Sequence, residues 1–113
     1  MRDAVTMALL YDYYGGLLTE KQRTCFDLYY NQDYSLAEIA AEAGISRQGV
    51  HETIARAEAL LRRFEAQIGC LAREAQVQQA ARAIEAAARK LLAGGEAPAL
   101  AGEILRAVET IKE

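Results

Sequence analysis

The chain has 113 residues, 52% of them hydrophobic, with one proline and a net charge of −3, enough for one modest core or a short domain with a helical extension. No apolar run approaches the roughly 18 residues of a membrane span. The N-terminus lacks a basic stretch followed by an apolar stretch and a small-residue cleavage site, so a cytoplasmic protein is expected.

Arg2 to Tyr14 reads as a first helix, with Val5, Leu9 and Asp12 on one side. Met7, Leu10, Tyr11 and Tyr14 form an apolar and aromatic stripe on the other. Gly15-Gly16 is expected to end it in the left-handed conformation. The tyrosines Tyr11, Tyr13 and Tyr14 are expected to pack rather than to stack on bases. Thr19 has the character of an N-cap, with Gln22 three residues on. The helix it opens runs to about Tyr30, with Cys25, Phe26, Leu28 and Tyr29 as apolar contacts, and Asn31-Gln32-Asp33 is a polar turn.

Ser35-Leu36-Ala37-Glu38 is a capping box. It opens a short helix whose buried side is marked by Ile39, Ala40 and Ala43, and which Gly44 closes. Ile45 and Ser46 lead into a longer helix from Arg47 to about Ile68. After Leu71 the sequence is alanine-rich. Val77, Ala81, Ile84, Ala88 and Leu91 set a three-four seam, and Gly94-Gly95 breaks it. Pro98 suits the first turn of a last helix, on which Leu100, Ile104, Val108 and Ile111 continue the stripe. The expected division is residues 1–70 and a hairpin over residues 71–113.

Two helices joined by a three-residue turn need a small residue at their crossing, which Ala40 supplies. They also need a residue for the tight turn, Gly44, and a wedge of Ile45, Val50 and Ile54. All occur in order, with both helices capped, and together they define a helix-turn-helix. The expected fold is all-α: a four-helix domain followed by the hairpin.

The segment Leu18-Thr19-Glu20-Lys21-Gln22-Arg23, followed by a helix, a turn and the capped pair, resembles region 4 of bacterial sigma factors over about residues 17–64. The whole arrangement is similar to the YlxM family of small bacterial proteins. The resemblance is carried by Leu10-Tyr11-Asp12-Tyr13-Tyr14-Gly15, Leu17-Leu18-Thr19, Gln22, Tyr29-Tyr30, Asp33, Ser35-Leu36-Ala37-Glu38-Ile39-Ala40 and Ser46-Arg47-Gln48-Gly49-Val50. Genes of that family typically neighbour those of the signal recognition particle, and the resemblance implies a regulatory role in that pathway. The chain departs from the family at Gly49, where alanine is usual, and at His51, where tyrosine is common. Glycine within a helix weakens it by up to about 1 kcal/mol relative to alanine.

With Ile45, Val50, Ile54 and Leu61 turned inward, the outer face of the second helix carries Ser46, Arg47, Gln48, His51, Glu52 and Ala55. The N-terminal residues of such a helix face base edges. Arg47 suits guanine and Gln48 adenine, while Glu52 needs a cytosine amino group. Thr53, Arg56 and Lys21 or Arg23 are candidates for phosphate contacts. The competing expectation is a solvated face, with Glu52–Arg56 and Glu58–Arg62 as i,i+4 pairs. Residues 1–70 carry seven basic and ten acidic side chains, so any DNA affinity must come from a local basic patch.

No enzyme is expected. Cys25 and Cys70 lack Cys-x-x-Cys spacing and the chain has one histidine, so neither a metal, a cofactor nor a catalytic thiol is implied. Ser46 and His51 lack an orienting acid and an oxyanion turn. Three partner expectations stand side by side. The first is DNA. The second is the signal recognition particle GTPase, its receptor or its RNA, met through a protein-interaction surface. The third is a second copy, joined through the C-terminal helices to display the helix-turn-helix in pairs.

Overall fold

A computed structural model describes residues 4–112. Its regular elements are α1 (Ala4–Tyr14), a 3-10 turn (Gly15–Leu17), α2 (Glu20–Tyr30), α3 (Leu36–Ala43), α4 (Arg47–Ile68), α5 (Cys70–Leu92) and α6 (Ala97–Lys112), with no strand among the described residues. The expected start of the first helix at Arg2 lies outside them. The described residues form two compact units, one ending at Leu71 and the next beginning at Ala72.

Local chemistry sets the helix boundaries. Thr19 Oγ1 accepts from the Gln22 N–H at 3.1 Å and Gln22 Oε1 accepts from the Thr19 N–H at 3.0 Å. Ser35 and Glu38 repeat the exchange at 3.1 and 2.8 Å. Two amides left without helical partners are thereby satisfied at each start.

The first unit is built on α4, against which α1, α2 and α3 all pack. One cluster joins Met7, Leu10, Tyr14, Leu18, Phe26, Ala57 and Leu61; a second joins Cys25, Ile39, Val50 and Ile54. Phe26 is fully buried, a burial worth about 1.5–3 kcal/mol. It lies between Tyr11, stacked at 4.8 Å, and Tyr30, stacked at 4.4 Å. The tyrosines of α1 pack as expected at positions 11 and 14, while Tyr13 stays 43% exposed.

Three expectations are corrected. Gly15 and Gly16 do not adopt the left-handed conformation; the chain leaves α1 through the 3-10 turn. Gly15 is small for another reason: a Cβ there would lie 3.0 Å from the Tyr11 ring. Ala43 is exposed although it lies one turn beyond Ile39 on the same side, because α3 ends there, past the core that Ile39 fills. On α5 the inward alanines are Ala80 and Ala87, whereas Ala81 and Ala88 are exposed.

In the second unit α5 and α6 run antiparallel. Arg73, near the start of α5, donates to the carbonyls of Thr110, at 3.2 Å, and Ile111, at the end of α6. Ala80, Ala87, Leu100 and Ala107 are its buried residues. The short side chains at 80 and 107 leave an open groove of about 440 Å³ between the two helices.

Candidate nucleic-acid interface

The turn between α3 and α4 is Gly44-Ile45-Ser46. Gly44 sits at φ 70°, a conformation that strains a residue with a Cβ. From there both its own N–H and that of Ile45 reach the Ala40 carbonyl, at 2.9 and 3.2 Å. Ile45 packs against the second core cluster. Ser46 Oγ accepts from the Gly49 N–H at 2.9 Å and caps α4.

Val50, Ile54, Ala57 and Leu61 are the buried side of α4. Ser46, Arg47, Gln48, His51, Glu52 and Arg56 are all exposed. The first five occupy the cap and first two turns of α4. The Gln48 amide makes a long contact of 3.4 Å to Glu52. Thr53 is half-buried and its hydroxyl donates to the Gly49 carbonyl at 2.8 Å. Lys21 is exposed near the start of α2. Arg23 is half-buried and donates to the Leu18 carbonyl at 3.1 Å, within a cleft it shares with Tyr11 and Asp27. Arg23 thus belongs to the α1–α2 connection. His51 lines a small depression with Tyr29, Tyr30 and Glu58 rather than standing alone.

The two expected ion pairs on α4 are absent. Glu52 accepts from Gln48 instead of pairing with Arg56, and Glu58 accepts the Tyr30 hydroxyl instead of pairing with Arg62. Glu65, one turn further, accepts the Tyr14 hydroxyl at 2.7 Å and the Leu71 N–H at 3.0 Å; the Tyr14 oxygen in turn accepts the Cys70 N–H at 2.9 Å. The opening amides of α5 are therefore capped by side chains from α1 and α4. Burial, reinforced by the Glu65 hydrogen bond, raises the Tyr14 phenol above its usual value. Hydrogen bonds from Asn31 and Gln32 lower the Asp27 carboxyl, and burial raises the Cys25 thiol.

Two residues join the face beyond those expected to touch DNA. Gln22 and Arg63 line a depression of about 310 Å³ together with Arg56, Ala59 and Leu60. The signal for Arg63 was its place seven residues, two helical turns, after Arg56. Gln22 reads from sequence as a cap partner and as one of the residues that carry the family resemblance.

Among the described residues no group of His, Cys, Asp and Glu could hold a metal, and no helix is long and apolar enough to cross a membrane.

A short helix joined at a left-handed glycine to a longer one, which is capped and exposed at its N-terminal end, defines a helix-turn-helix protein. The family model described as "Putative helix-turn-helix protein, YlxM / p13 like" matches residues 1–93, and the chain belongs to that family. Curated relatives carry the name UPF0122 protein. That of Thermoanaerobacter sp. (strain X514) is 51% identical over 75 residues, 66% of this chain and 64% of the relative. That of Symbiobacterium thermophilum is 51% identical over 72 residues, 64% of this chain and 67% of the relative. The Acetivibrio thermocellus protein is 50% identical over 78 residues, 69% and 65% respectively. The chain spans 64% of the length of the first of these relatives.

Proposed function

We propose that this chain is a DNA-binding regulatory protein that presents the N-terminal end of α4 to the major groove. The observation that carries the reading is Arg47, exposed in the first turn of a capped helix and without a carboxylate partner among the described residues. Its guanidinium suits the two acceptors of guanine, and Gln48 beside it suits adenine. Ser46, His51 and Glu52 complete the reading end. Arg56 and Lys21 meet phosphates, while the Thr53 hydroxyl and the Arg23 guanidinium are engaged by the Gly49 and Leu18 carbonyls. The link to the signal recognition particle that the resemblance implies points to protein targeting as the process regulated, in the cytoplasm.

The test is fluorescence anisotropy against a random-sequence duplex at low and near-physiological salt. Binding is expected to fall steeply with salt and to weaken by about tenfold in Arg47→Ala, the lower end of what a guanine contact contributes. Tight binding indifferent to that substitution overturns the assignment.

A second reading is favoured by one observation. Val5, Leu9 and Tyr13 recur every fourth residue on α1, and with Leu17 they are 42–75% exposed. An apolar row of that kind fits a protein surface. On this reading the chain docks on the signal recognition particle GTPase, its receptor or its RNA. Absence of duplex binding, combined with a changed GTPase rate, is the outcome that selects it.

A further inference from the structure

The acidic balance of the first unit hides a basic surface. From Thr53 to Ile68 helix α4 carries two glutamates and three arginines. Both glutamates turn inward: Glu58 holds the Tyr30 hydroxyl, and Glu65 holds the Tyr14 hydroxyl and the Leu71 amide. Arg56, Arg62 and Arg63 remain exposed, and none has a carboxylate partner among the described residues. The hydrogen bonds hold both carboxylates on the tyrosine side of α4, away from the side that carries Arg56 and Arg63. Two of the arginines, Arg56 and Arg63, converge on one depression of about 310 Å³, floored by Ala59 and Leu60 and walled by Gln22 of α2. The Gln22 oxygen is occupied by the Thr19 cap, which leaves its amide N–H₂ as a donor. Lys21 is its neighbour. Glu52, a turn before Arg56, is the carboxylate on this side of α4.

We infer that Arg56, Arg63 and the Gln22 amide form a seat for the phosphodiester backbone of nucleic acid, separate from the end of α4 that meets base edges. The inference rests on the nucleic-acid reading above and deepens it. Along an α-helix Arg56 lies roughly 14 Å and Arg63 roughly 24 Å from Arg47. The major groove is about 12 Å wide. A helix entering it by its first turns therefore brings the Arg56 level to the groove wall, and Arg63 extends the contact outward. Guanidinium groups are suited to phosphate oxygens, which they grip with two donors at once. The seat carries no sequence information; it sets affinity and register.

The experiment measures binding of the full chain to a random-sequence duplex of about two helical turns across a salt series, comparing wild type, Arg56→Gln/Arg63→Gln, Arg56→Lys/Arg63→Lys and Arg47→Ala. Each neutralised phosphate contributes about 0.9 to the slope of log affinity against log salt. The double glutamine variant is expected to lose about 1.8 from that slope, and the double lysine variant to keep it. Both side chains are exposed, and an unchanged circular dichroism spectrum verifies that the fold persists. If wild type binds, Arg47→Ala weakens it and the double glutamine variant keeps the full slope, the seat is overturned while the reading end stands. If wild type binds no duplex at the lowest salt, both fall together.

Discussion

Tyr14 ties three helices together through one oxygen, donating to Glu65 on α4 and accepting from Cys70 at the head of α5. Removing it in Tyr14→Phe leaves the half-buried Glu65 carboxylate and the Cys70 amide each short of a partner, which costs more than the bond itself contributes. The variant is expected to melt about 5 °C lower. Its pH dependence follows from the raised phenol. The native state holds the proton more tightly than the unfolded chain, so the contribution is complete below about pH 10 and declines as pH rises past it. The gap in stability between wild type and Tyr14→Phe, from urea denaturation, is expected to narrow above that pH. A constant gap would mean that the phenol titrates alike in both states. None of this was legible locally, because 51 residues separate Tyr14 from Glu65. Gly15 is a similar case: its position after a helix suggested a left-handed stop, whereas the cause is the Tyr11 ring above it.

Within single elements the sequence was far more explicit. Capping boxes at Thr19 and Ser35 are signals contained within four consecutive residues, and both form. The helix-turn-helix turn depends on one backbone angle, and Gly44 at φ 70° supplies it with open space around the missing Cβ. Gly44→Ala therefore meets no clash and carries only the left-handed penalty, about 1–2 kcal/mol. Urea unfolding is expected to show that loss with the helical content of the native state intact; no loss would place the turn in another conformation. The outer face of α4 followed from its inward residues, since a helix fixes both sides at once. On α5 the pattern failed for a physical reason. Ala80-Ala81 and Ala86-Ala87-Ala88 offer the same side chain at successive angles, so apolar periodicity cannot choose between them, and the seam settled on Ala80 and Ala87.

At the scale of the whole molecule, net charge and composition each mislead in a way that burial corrects. Counting charges gave an acidic domain, yet two of its acids face inward on tyrosines and leave arginines outside. The hydrophobic fraction treats alanine as the equal of leucine, yet their contributions on burial differ severalfold. The first unit encloses Phe26, Met7, Ile39, Leu61 and Val50, each less than 2% exposed. The second encloses Leu100 and three alanines, beside an open groove. Local stability tracks buried apolar contact, so the two units are expected to open at different free energies. Native-state hydrogen exchange should find the amides of Val50–Leu61 on α4 the slowest, and those of Leu100–Ala107 on α6 about a hundredfold faster, a difference of ~2.8 kcal/mol. Equal protection would require apolar cover for α5 and α6 from outside their own residues. A second copy seated along their groove would supply it, and the protection of α6 would then rise with protein concentration while that of α4 stayed fixed.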